Sequence, residues 1–108
     1  MNLELAQQIA ATYLKHGWKL RRVLARAATS AEQQLIAENF PEASLIDGEI
    51  DALWFARNSQ GGRDAWELRL ISEQPYALFE AFEGDESEED REEARKEMQN
   101  RMREHARP

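Results

Sequence analysis

Apolar side chains near the start of the chain recur at three- and four-residue intervals. Ala6, Ile9, Ala10, Tyr13 and Leu14 form a stripe, extended by Leu3 or Leu5, while Gln7, Gln8, Thr12 and Lys15 lie largely off it. That spacing predicts an amphipathic helix. Asn2 can cap its start, Lys15 and His16 suit its negative C-terminal end, and Gly17 supplies the left-handed residue that stops it. From Trp18 the period changes. Trp18, Leu20 and Leu24 share one parity and Val23 and Ala25 the other, which reads as a strand with both faces partly apolar. In TSAEQQLIAENFPEA, Thr29 or Ser30 can cap a helix with Glu32 or Gln33 at the reciprocal position. Leu35, Ile36 and Phe40 form its apolar patch and Pro41 prevents continuation, so a short helix is predicted near residues 31–39.

Residues 43–49 read as a connection into a hairpin with strands at 50–57 and 64–71. The second strand alternates, with Trp66, Leu68 and Leu70 on one side and Glu67 and Arg69 on the other. Gly61 and Gly62 permit positive φ in the turn between them. PYALFEAFEG is ambiguous. Its composition and closing Gly84 suit a short helix, whereas its place after a hairpin suits a third meander strand, and the strand is preferred. From Ser87, a helix begins with Glu88, Glu89, Asp90, Glu92 and Glu93 and ends with Arg101, Arg103 and Arg107, an order that complements the helix dipole. Glu92–Lys96 and Glu97–Arg101 add pairs worth ~0.2–0.5 kcal/mol each. Its apolar stripe is thin, just Ala94, Met98 and Met102, so light docking or fraying is expected.

Register assigns the hairpin's faces, because a one-residue slip exchanges them. A four-residue loop with Asn58 opposite Arg63 sets Leu53 against Leu68, Phe55 against Trp66 and Arg57 against Asp64. A two-residue Gly-Gly loop keeps the same faces. An odd loop sets Phe55 beside Glu67 and Leu53 beside Arg69 instead. Cross-strand pairs contribute roughly 0.2–1 kcal/mol each, which favours the even loops. The expected core is therefore Leu53, Phe55, Trp66 and Leu68, with Trp54 on the reverse face beside Ile50, Ala52, Ala56, Glu67 and Arg69. That reverse face is more apolar than water suits. The C-terminal helix, a second subunit or a ligand must cover it.

These elements predict an α+β fold: a two-layer domain whose antiparallel sheet of three to four strands carries helices packed on it, in the order α-β-α-β-β-(β)-α. Residues 1–86 form the compact domain and residues 87–108 the charged helix, within one domain overall. Length supports this, since 108 residues suffice for one domain.

Charge alters the picture of partners. Twenty-one acidic and 14 basic residues give −7, which disfavours nucleic acid and anionic membranes. The N-terminus lacks the pattern of a signal peptide, and no run approaches the roughly 18 apolar residues of a span, so a cytoplasmic location is expected. Without cysteine there is no disulfide, thiolate site or cysteine nucleophile. The one basic patch is Lys15, Lys19, Arg21, Arg22 and Arg26, with Trp18 inside it. Such a patch can grip single-stranded nucleic acid, although pairing with the surplus carboxylates is the simpler expectation. Asp47, Glu49 and Asp51 alternate in IDGEID, an acidic cluster that could meet a hard cation in an extended chain. The spacing does not match an EF-hand, so a solvated strand entry is preferred.

No catalytic motif, metal site or cofactor site emerges; His16 and His105 are far apart in sequence and each suits a helix C-terminus. The functional expectation is a small acidic soluble protein-interaction module without catalytic activity. It self-associates as a homodimer through the sheet face carrying Trp54, with Ile50, Ala52, Trp54, Glu67 and Arg69 at the interface. The alternative is an acidic inhibitor or adaptor that covers a basic site on another protein.

Overall fold

The computed structural model describes residues 1–107. Its elements follow in the order α1 (Leu3–Lys15), β1 (Lys19–Arg26), α2 (Ser30–Asn39), β2 (Ser44–Gly48), β3 (Ala52–Asn58), β4 (Asp64–Leu70), β5 (Ala77–Phe82) and α3 (Glu88–Ala106). One five-stranded mixed sheet runs β2-β1-β3-β4-β5, with β1 and β2 parallel and the other neighbours antiparallel. The fold is α+β, as expected. It differs from the expected antiparallel sheet of three to four strands, and from the expected order, in an additional strand, β2, which lies parallel to β1 within the stretch read as a connection. Residues 77–82 form a strand. The layers differ too: α1 and α2 pack on one face and α3 on the other.

Local chemistry accounts for the helix starts. The Asn2 side chain accepts from the Leu5 N–H at 3.1 Å, and Gly17 takes φ 85° just past the end of α1. α2 opens with a complete capping box. The Glu32 N–H donates to Thr29 Oγ1, and the Glu32 carboxylate accepts from the Thr29 N–H. Ser87 caps α3 by accepting from the Asp90 N–H at 3.1 Å.

β1 does not keep the parity its sequence suggests. A register irregularity between Leu20 and Arg22 leaves Arg21 unpaired, so the strand changes phase. Leu20, Val23 and Ala25 therefore all join the core under α1 and α2, while Leu24 joins the core under α3.

The hairpin register also differs from the expectation. Asn58 pairs with Asp64, Ala56 with Trp66, Trp54 with Leu68, Phe55 with Glu67 and Leu53 with Arg69. This is the odd-loop solution. The intervening chain forms a short 3₁₀ turn at Gln60–Gly62, with Gly61 at φ 71° and Gly62 at φ 73°. Trp54 and Trp66 thus share a face, and Leu53 and Phe55 lie on the other. The even-loop preference assumed that Glu67 and Arg69 would be poor neighbours for apolar residues. Instead Glu67 accepts a hydrogen bond from the Tyr13 hydroxyl, and Arg69 donates to the Leu70 carbonyl. With both faces of β3 buried from Ala52 to Ala56, the strand carried no information about which face was outside.

The turn is packed against the β5–α3 connection. An added Cβ at Gly84 would lie 2.0 Å from the Gly61 carbonyl oxygen, so only glycine fits there.

Candidate functional site: the covered face, the charged clusters and the open edge

α3 lies over the face carrying Trp54. Trp54 is 0 % exposed, its ring 5.9 Å from that of Trp66 in an edge arrangement, beneath Met98 and Met102. Its Nε1 donates to Gln99 Oε1 at 3.0 Å, so the buried indole N–H is satisfied by α3 itself. Arg95 is 1 % exposed, with its guanidinium carbon 4.0 Å from the Trp66 ring centroid. Its Nη1 donates to Glu88 at 2.8 Å and Glu92 at 3.2 Å. Glu92 also accepts a two-pronged contact from Arg22 on β1, at 2.8 and 2.9 Å. Arg91 reaches Asp64 at 3.0 Å, and Asp64 accepts from Trp66 Nε1 at 2.9 Å. The hydrogen bond from Arg22 holds the Glu92 carboxyl below its ordinary value, and that from Arg95 does the same for Glu88.

The five residues grouped as an interface are separated by the observed register. Ile50, Ala52 and Trp54 belong to the core under α3. Glu67 and Arg69 pair with Phe55 and Leu53 of the opposite face.

The basic patch divides as well. Arg22 is held by Glu92, and Arg26 lies at the far end of β1. Lys15, Lys19 and Arg21 have no ion pair among the described residues. Lys19 and Arg21 flank a cleft of about 490 Å³ lined with Ala10, Leu14, Trp18, Leu20 and Phe40. Leu14 is 68 % exposed there. Trp18 joins this cleft to an aromatic row across the α1 side, meeting Tyr13 and Phe79 edge-on at 6.2 and 6.3 Å. Tyr13 stacks on Phe55 at 4.0 Å, and its phenol is pushed up, first by burial and then by Glu67.

Asp47, Glu49 and Asp51 surround another cleft, of about 620 Å³, at the ends of β1 and β2. They do not form the extended ladder that the spacing suggested. Asp47 is in β2, Glu49 pairs with Arg103 at 3.4 Å, and Asp51 accepts from the Arg26 N–H at 2.8 Å and lies 3.7 Å from the N-terminal amine. Among the described residues no group of three His, Asp or Glu side chains is placed to hold a metal ion.

A further feature without a partner among the described residues is β5, one of the two edge strands of the sheet. Ala77, Phe79, Glu80 and Ala81 are exposed, and Phe79 is 57 % accessible. Sequence reasoning missed this edge because the order of strands decides which one is outermost. The sequence hint was an apolar run with Glu80 as its single charge. No family model, curated protein or solved structure matches the chain. No helix among the described residues is long and apolar enough to cross a membrane.

Proposed function

We propose that this chain is a small acidic protein-interaction module, without catalytic chemistry of its own, that self-associates. The observation that carries this reading is the bare apolar edge at β5, continuous through Phe79 and Trp18 with exposed Leu14. Association through the Trp54 face would require α3 to leave the sheet and expose Arg95, Met98 and Met102. Association at β5 requires no such opening. Sedimentation over a wide concentration range tests the reading. Wild type is expected to dimerise reversibly and Phe79→Glu to remain monomeric with an unchanged fold; a wild type that stays monomeric throughout would overturn it.

A second reading is favoured by Lys19 and Arg21, which have no ion pair among the described residues and outnumber Glu42 in the lining of the apolar cleft. An acidic amphipathic segment of another protein suits that combination. Its affinity for a labelled acidic amphipathic peptide should fall with salt and with Arg21→Glu. Salt-independent binding would count against it.

A further inference from the structure

We infer that a second copy of this chain adds to the β5 edge in antiparallel fashion about a two-fold axis through Phe79, joining two sheets into one. The inference rests on the self-association reading and specifies its register.

Hydrogen-bond phase comes first. The Leu70 N–H donates to the Tyr76 carbonyl at 3.0 Å, just beyond the paired residues Arg69 and Ala77. Leu70 and Tyr76 are therefore opposite each other as a hydrogen-bonded pair. Such pairs alternate along an antiparallel ladder. Leu78, Glu80 and Phe82 consequently direct their backbone N–H and C=O groups towards β4. Ala77, Phe79 and Ala81 direct theirs outward, where no strand among the described residues receives them.

Side chains then select the axis. A two-fold perpendicular to the sheet sets residues of like parity opposite one another. Centred on Phe79, it sets Phe79 against the partner's Phe79, Ala77 against the partner's Ala81, and Leu78 against the partner's Glu80. All three outward-facing residues exchange both backbone hydrogen bonds, and alanines on either side leave room for the two aromatic rings. Centring on Glu80 instead would set the two carboxylates face to face, which is unfavourable. Centring on Leu78 would bring Pro75, which has no N–H, opposite Ala81.

On this axis Glu80 is diagonal to both the partner's Tyr76 and the partner's Glu80, so the two carboxylates stand two residues out of register instead of directly opposite, as they would about Glu80. The other edge, β2, is short and ends beside Asp47 and Glu49, so it offers no comparable self-complementary surface. Nor does β5 carry a lysine, proline or bulge, the usual means by which edges are kept from pairing.

The absence of cysteine makes a direct test available. Ala77→Cys and Ala81→Cys are prepared separately, then mixed and oxidised mildly. Opposite residues in such a ladder have Cα atoms about 5.5 Å apart, within the span a disulfide bridges. In the mixture, disulfide-linked dimer should exceed that of either variant alone by roughly tenfold, because equivalent positions lie well apart across the axis. Both variants retain Phe79, and circular dichroism checks that each remains folded. Equal linkage alone and mixed, in a protein that sediments as a dimer, would overturn the register but leave self-association standing. A protein that never dimerises would overturn both.

Discussion

On the α1 and α2 side, the sheet is closed by apolar contacts: Ala6, Ile9, Ile36 and Phe40 meet Val23, Leu53 and Phe55. On the α3 side, two tryptophans are closed by a helix whose buried residues include an arginine, and whose glutamine completes the Trp54 hydrogen bond. The first face follows the ordinary logic of an amphipathic helix, in which an apolar stripe marks the contact. The second shows that a stripe can be partly made of arginine. Arg91, Arg95, Met98 and Met102 recur at four, three and four along α3 and face the sheet together. A guanidinium is planar, weakly hydrated and able to stack on an indole, so its aliphatic stem and flat head pack as a core residue does.

The largest expected effect comes from damaging each face in turn. Trp54→Ala and Phe55→Ala should each cost about 3–5 kcal/mol, as large buried aromatics do. They should differ in which helix loosens. Hydrogen exchange after Trp54→Ala should rise in α3 and leave α1 protected, and Phe55→Ala should do the reverse. If both variants loosened α1 and α3 equally, the two faces would have to be treated as one cooperative core.

A middle-sized effect asks what Arg95 contributes. Arg95→Ala removes both the stacked guanidinium and the stem, and should destabilise by about 2–3 kcal/mol in urea denaturation. The loss is smaller than for an isolated buried charge pair because Glu88 is largely exposed and returns to water. Arg95→Met keeps the volume between Trp66 and Phe82 and should cost less than about 1.5 kcal/mol. Equal losses for the two variants would mean that charge, not packing, holds the helix.

The same contrast explains what could be read from residues alone. α1 and α2 were legible to within a residue or two because stripes, caps and Gly17 agree with one another. β2 was not, because SLIDG has little strand character of its own and pairs only once β1 is in place. The hairpin faces failed for a related reason. A five-residue turn is as compatible with Gly61-Gly62 as a four-residue one, and the partner that makes Glu67 acceptable, Tyr13, lies 54 residues away. For the candidate site, Trp54 was rightly singled out as needing a cover, but counting only Ala94, Met98 and Met102 undervalued the helix that supplies it. The β5 edge is a property of topology and could not be read before the strand order was known.

The smallest effect concerns acid. Glu92 and Glu88 have carboxyls held below their ordinary values by Arg22 and Arg95 respectively, and both lie on the helix that covers the tryptophans. A depressed folded-state value means that the unfolded chain binds protons more readily than the folded one. Their contribution is therefore present above the ordinary carboxylate range and is lost as pH falls from about 5 through the lowered folded values. Both groups are partly solvated, so screening keeps the effect modest. Near-ultraviolet circular dichroism of the tryptophans should report α3 loosening on acidification before the far-ultraviolet signal of the sheet declines. Arg22→Met removes the main cause of the Glu92 shift and should flatten this early phase while leaving the α1 side unaffected. An early acid phase of undiminished size in that variant would place its origin elsewhere than the Arg22–Glu92–Arg95 contact.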